Sequence, residues 1–132
     1  MKTILAASNN KDKIREIKQI LTNTGFEVIS LEDAGIEIDP DESGGTFAEN
    51  ALIKARAAYD VMKTYVIADD TGLSVEALNG NPGVNSRRYA GPGASYADNN
   101  RHLIENLEKS GSKNFNASFI CVISLIEPDG NE

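Results

Sequence analysis

Two adjacent carboxylates, Asp69 and Asp70, follow the short apolar run Tyr65-Val66-Ile67 and the small residue Ala68. The run reads as a buried strand that ends at the acids, and Thr71-Gly72 reads as the turn that leads the chain away. Ligands of α/β proteins bind outside the carboxyl ends of their strands, so acids placed there face a site rather than the core. For an isolated Asp-Asp pair, a solvated strand end is the competing explanation. What raises this pair above it is the chemistry carried by other stretches.

Ser8-Asn9-Asn10 interrupts the apolar run Thr3-Ile4-Leu5-Ala6-Ala7 with residues that favour turns and helix caps, and Lys13 comes one helical turn later. A strand, polar loop and helix in that order aim backbone N–H groups and a positive dipole end at whatever lies above the strand, which suits a phosphate. Most such junctions bind nothing, so the pattern alone is not specific. Asp41-Glu42-Ser43-Gly44-Gly45 ends against a second helix start, and its paired glycines let backbone approach a ligand. Asn50 and Lys54, four apart on that helix, share a face that its packing does not need. They are surface residues or they look into the same site as the acids.

The elements that position these groups are legible as an α/β alternation. A helix spans Lys11 to Leu21 with Ile14, Ile17 and Leu21 along one side, and Gly25 is its stop signal. Phe26 to Leu31 is the second strand, parallel to the first by βαβ logic. Thr46 and Glu49 have capping-box spacing, opening a helix to Met62 or Lys63 whose small stripe, Ala51, Ala55 and Ala58, packs on a sheet. Leu73 to Leu78 fits strand or helix. Val84 to Gly91 reads as a short helix, and Ser95 opens another to Lys109 with Leu103, Ile104 and Leu107 inward. Asn116 to Ile126 is the longest strand, almost continuously apolar, with Cys121 as buried filling. Pro128-Asp129-Gly130 is then a turn, and a long strand with nothing returning beside it would leave an apolar edge, so the chain reads as cut.

At 132 residues the chain is expected to form one domain with a real core, and 40% hydrophobic against 25% charged residues is ordinary for a soluble globular protein. Its net charge of −7 argues against nucleic-acid or membrane-surface binding, either of which needs a basic face. Phosphate binding survives that objection if a few cations and N–H groups converge and a divalent metal helps. One cysteine excludes a disulfide framework. The first apolar run is too short for a signal peptide or a membrane span, so the expected compartment is cytoplasmic.

Four blocks in order resemble the inosine triphosphate pyrophosphatase family: Ser8-Asn9-Asn10 with Lys13; Thr46-Phe47-Ala48-Glu49-Asn50 with Lys54-Ala55; Ala68-Asp69-Asp70-Thr71-Gly72-Leu73; and Gly80-Asn81-Pro82-Gly83-Val84 with Ser86-Arg87-Arg88-Tyr89. The resemblance implies an α/β fold, a mixed twisted sheet flanked by helices, elongated, with residues 1–132 forming a single nucleotide pyrophosphatase domain that is C-terminally incomplete. It implies hydrolysis of deaminated purine nucleoside triphosphates (ITP, dITP, XTP) to monophosphate and pyrophosphate, with Mg²⁺ as cofactor and a homodimer as the assembly. Site residues carry over by position. The phosphate loop resembles Ser8, Asn9, Asn10, Lys11, Asp12 and Lys13; the helix lysine resembles Lys54; Thr71 belongs to the substrate contacts. Glu42 and Asp70 resemble the metal ligands, and Asp70, or Asp69 beside it, the catalytic base. The family's Phe-Gly-Tyr/Trp-Asp-Pro and Ser-His-Arg blocks, which hold the purine, have no counterpart here. A related pyrophosphatase for pyrimidine or methylated nucleotides, a non-catalytic nucleotide sensor, and an interaction protein are the alternatives, separable by a substrate panel and by triphosphate binding without turnover.

Overall fold

A computed structural model describes all residues, 1–132, and shows three helices and four strands in the order β1 (Lys2–Ala6), α1 (Lys11–Ile20), β2 (Phe26–Ser30), α2 (Phe47–Val61), β3 (Tyr65–Val75), α3 (Tyr96–Ser110) and β4 (Ala117–Ile126). Two 3₁₀ turns, Glu76–Leu78 and Gly83–Arg88, lie between β3 and α3. The strands form one mixed sheet in the order β2-β1-β3-β4. β1 runs parallel to β2, from Lys2↔Phe26 to Ala6↔Ser30, and parallel to β3, from Ile4↔Tyr65 to Ala6↔Ile67. That is the α/β alternation expected from the sequence.

The chain packs as two compact units, residues 1–70 with 122–132, and residues 71–121. The core of the first unit is Leu5, Ala7, Leu31, Ala55, Ala58, Val66, Ala68 and Ile126. Ala51, Ala55 and Ala58 are fully buried, so the small stripe of α2 does bring that helix close against its neighbours. The turn after β4 returns to the outer side of α2: Tyr59 Oη donates to the Pro128 carbonyl at 2.9 Å, and Arg56 forms a forked pair with Glu132 at 2.7 and 2.8 Å.

In the second unit, the Leu73 amide donates to Ser86 Oγ at 2.9 Å, and Ser74 bridges Pro82. α3 opens with a complete capping box between Ser95 and Asp98. His102 packs against the Tyr89 ring at 4.7 Å between centroids and meets the Asn106 amide at 3.3 Å, a satisfied residue rather than a ligand.

Three expectations change. β3 does not end at the acids; it runs through Asp69-Asp70-Thr71-Gly72 to Val75, because a glycine and two acids interrupt a strand's side-chain pattern without preventing extended backbone. Cys121 is exposed, since β4 is an edge strand solvent-exposed along most of its length, with Phe119 82% and Ile123 62% accessible. Ile104 of α3 is 55% accessible rather than inward.

Candidate active site

The β1–β3 ladder stops at Ala6↔Ile67, and the Ala7 amide closes it on the Ile67 carbonyl at 2.8 Å. Past that point β3 continues while β1 turns into the Ser8-Asn9-Asn10 loop. Asp69 and Asp70 therefore sit at the carboxyl end of β1, where an α/β site belongs, although they lie inside β3. Consecutive strand residues project to opposite sides. Each acid accordingly engages a different lysine as its nearer ammonium.

Lys13 Nζ lies 2.7 Å from Asp69 Oδ2, with 31% and 13% of the two side chains accessible. Lys54 Nζ lies 2.7 Å from Glu42 Oε1 and 3.7 Å from Asp70 Oδ1, and donates to the Asp69 carbonyl at 2.7 Å. Five of the residues singled out for chemistry, carried on four elements, are thus brought together: Glu42 on the loop before α2, Lys54 on α2, Asp69 and Asp70 on β3, and Lys13 of α1 joined through Asp69. Burial pushes the Asp70 carboxyl above the ordinary Asp value; Lys54 opposes that push, Glu42 adds to it, and the Asn50 hydrogen bond and Lys13 work against it. A carboxyl whose pKa is raised by burial is a candidate proton acceptor.

The loop before α1 is more self-satisfied than a bare helix N-terminus. Asn10 caps α1, its Oδ1 accepting the Asp12 and Lys13 amides at 3.0 and 3.3 Å. Two of the N–H groups expected to face a ligand are therefore already taken. Ser8 Oγ accepts the Asn10 amide at 3.1 Å, and Asn9 Nδ2 donates to the Ile38 carbonyl at 3.2 Å. Lys11 is exposed, and Asp12 pairs with Arg15 at the surface at 3.0 Å, so neither is drawn into the acid–lysine cluster. Thr71, the first residue of the second unit, is exposed on β3. An open cleft of about 510 Å³ runs beside the loop, lined by Asn9, Ile36, Ile38 and the acids Glu32, Glu37 and Asp39; Lys13, Lys54, Asp69 and Asp70 do not line it.

No three His, Cys, Asp or Glu side chains gather in a group that could hold a metal ion. Mg²⁺ does not require one, since it keeps waters and takes one or two protein carboxylates with substrate phosphate. Glu42 and Asp70 flank Lys54, and Asp70 Oδ2 is buried without a hydrogen-bond partner. A buried, unsatisfied carboxylate oxygen is costly unless something binds it. The donor set is hard oxygen, and it fits Mg²⁺.

Of the two places the sequence leaves open for Asn50, the surface and the site of the acids, the structure takes the second. Asn50 is 2% accessible, its Oδ1 accepts the Gly44 amide at 2.8 Å, and it lies near enough to Asp70 to favour that carboxylate's charged form. The capping box is only half formed: Thr46 Oγ1 accepts the Glu49 amide at 3.1 Å, but the Glu49 carboxylate takes the Gly45 amide at 2.9 Å. The available signal was an Asn in the first turn of α2, one turn before Lys54.

The model of the Ham1 family matches residues 4–132. A dITP/XTP pyrophosphatase of Clostridium tetani is 44% identical over 129 residues, covering 96% of this chain and 63% of that protein. The dITP/XTP pyrophosphatase of Haemophilus influenzae is 44% identical over 126 residues, covering 95% and 64%. Among solved structures, a HAM1 protein from Coxiella burnetii superposes with a TM-score of 0.92 at 39% identity, covering 99% of this chain and 66% of that one. The Staphylococcus aureus Ham1 protein gives 0.85 at 42%, covering 97% and 65%. The chain spans slightly less than two thirds of the length of these relatives.

Proposed function

Because the chain belongs to the Ham1 family, we propose that the protein hydrolyses deaminated purine nucleoside triphosphates, dITP, ITP and XTP, to the monophosphate and pyrophosphate. In this reading residues 1–132 are part of one nucleotide pyrophosphatase domain. The observation that carries it is the pairing of two lysines with three acids at the carboxyl end of β1: Lys13 with Asp69, and Lys54 with Glu42 and Asp70.

The residue types match the reaction. A triphosphate brings several negative charges, and Lys13 and Lys54 are the cations that meet its phosphoryl oxygens, where they stabilise charge that grows as the α–β anhydride bond breaks. Ser8, Asn9 and Asn10 hold the loop beside them. Asp70 orients the attacking water and accepts its proton, at the carboxylate whose pKa burial has raised. Glu42 and Asp70 would hold Mg²⁺, which when bound neutralises phosphate charge. Asp69 supplies the carbonyl that seats Lys54 and the carboxylate that seats Lys13. Thr71 joins the substrate contacts through its hydroxyl.

No helix is long and apolar enough to cross a membrane, and the net charge of −7 is unfavourable to nucleic acid. A cytoplasmic homodimer is the assembly we assign, to be checked by sedimentation. The test of activity is product analysis with dITP, ITP, XTP, ATP and GTP in Mg²⁺. Pyrophosphate and monophosphate from the deaminated purines, ahead of ATP and GTP, is the expected result. Release of orthophosphate alone would point to another enzyme class.

A further inference from the structure

Asn50 is the one polar residue in the buried core, and nothing about helix formation calls for an Asn there. Its side chain is committed to a separate segment: Oδ1 accepts the Gly44 amide at 2.8 Å, two residues from Glu42, and the amide lies near enough to the Asp70 carboxylate to favour its charged form. One turn on, at the i+4 position, Lys54 Nζ lies between Glu42 Oε1 and Asp70 Oδ1.

The fit at Gly44 is tight on the Asn50 side. A Cβ there would stand 2.6 Å from Asn50 Oδ1 and 2.8 Å from Glu49 Cβ. Its backbone lies outside the left-handed region, so space rather than conformation demands glycine. The turn that carries Glu42 is thus seated on the Asn50 amide. A buried amide whose oxygen is committed to that turn holds it rigidly, because rotating the amide breaks the bond.

We infer that Asn50 is a positioning residue: it seats the Gly44 turn on α2 beside Asp70 and so sets how far apart Glu42 and Asp70 are presented for a divalent cation. This rests on the proposed reading of those two acids. Groups behind a metal's own ligands commonly change affinity or activity about 10- to 100-fold when removed.

The test uses Asn50→Ala, Gly44→Ala and the double variant. Gly44→Ala leaves Asn50 chemically intact and dislodges it sterically, so it carries the test even if Asn50→Ala does not fold. The first readout is Mn²⁺ binding to the protein alone, by electron paramagnetic resonance well below the melting temperature; Mn²⁺ takes the same oxygen ligands as Mg²⁺. The second is kcat and KM for dITP with Mg²⁺. Each single variant should weaken Mn²⁺ binding and lower kcat by about 10- to 100-fold with KM for dITP nearly unchanged. The double variant should lose no more than the worse single, since both changes break one unit. Wild-type Mn²⁺ affinity in folded variants, additive losses, or a wild type that binds no Mn²⁺ would each overturn the role. A wild type whose Mn²⁺ binding depends on Asn50 but which releases no pyrophosphate would instead sink the pyrophosphatase reading and leave the positioning role standing.

Discussion

Lys13 Nζ and Asp69 Oδ2 meet at 2.7 Å across 56 residues of sequence, joining the first helix to the third strand. The ammonium that would bind phosphate is therefore held by an acid on another element. Lys13→Ala should weaken triphosphate binding by about 1.5–3 kcal/mol, roughly 10- to 150-fold in Kd, the scale of a charge-assisted hydrogen bond. It should also lower thermal stability by about 1 kcal/mol or less, since the pair is partly exposed. Calorimetric titration with a non-hydrolysable triphosphate and a melting curve check both. Unchanged Kd would remove Lys13 from the site.

Asp70→Asn separates stability from chemistry. The folded-state pKa of Asp70 is raised above 3.8, with burial as the main cause, so the folded chain holds the proton more tightly than the unfolded one. Ionised Asp70 therefore costs stability; the cost is absent below the unfolded value, grows as pH rises through the window, and is complete above the folded value. The Asn variant should melt at least as high as wild type at pH 7, with the advantage fading toward pH 4. Turnover should fall by about 10²–10⁴. A variant that is destabilised at neutral pH would show that the acid's partners outweigh its burial.

Asp33 should show the opposite slope. Its carboxylate accepts the Ser30 amide at 2.9 Å and meets Lys18 at 3.2 Å, while its own amide donates to Ser30 Oγ at 2.9 Å; the Ser30 amide and hydroxyl, with Lys18, hold its pKa below 3.8. A depressed carboxylate stabilises the fold above its unfolded pKa, and that contribution disappears as pH falls through the folded value. Asp33→Asn should thus lower the melting temperature at pH 7 and converge on wild type in strong acid. Parallel melting curves at all pH values would mean the turn after β2 does not depend on that charge.

Hydrolysis should require a divalent cation, as the Glu42 and Asp70 oxygens and the unpartnered Asp70 Oδ2 imply. Excess chelator ought to stop pyrophosphate release, and added Mg²⁺ ought to restore it. Undiminished turnover in chelator would leave those two acids without a metal role.

The first three strands and the two helices between them follow from local patterns: apolar runs broken by Asn, Ser and Gly, then amphipathic stripes with Asn10 and Thr46 as caps. The acids and lysines were legible for the same reason, each standing at a junction. What local pattern could not convey depends on neighbours. Asp69-Asp70-Thr71-Gly72 looks like a strand end, yet it is β1 that ends there and β3 that continues. The apolar run around Cys121 looks buried because periodicity does not tell an edge strand from a central one. The pattern leaves Asn50 between surface and site because Gly44, its bonded partner, lies in the preceding loop and Asp70 lies on another element.

Helix α2 bears loads on two sides. Asn50 and Lys54 face the acids, while Arg56 and Tyr59 grip the turn after β4 through Glu132 and the Pro128 carbonyl. Successive residues advance by about 100° around a helix, so Lys54 and Arg56 point nearly opposite ways. A one-residue insertion between them would rotate one set of contacts away while leaving the other in place. Point substitutions at exposed α2 positions that make none of these contacts, such as Ala48 and Val61, should therefore be freely accepted, whereas its length between Asn50 and Tyr59 should be invariant: the helix works as a gauge block, and a change of length cannot be absorbed by adjusting either side alone.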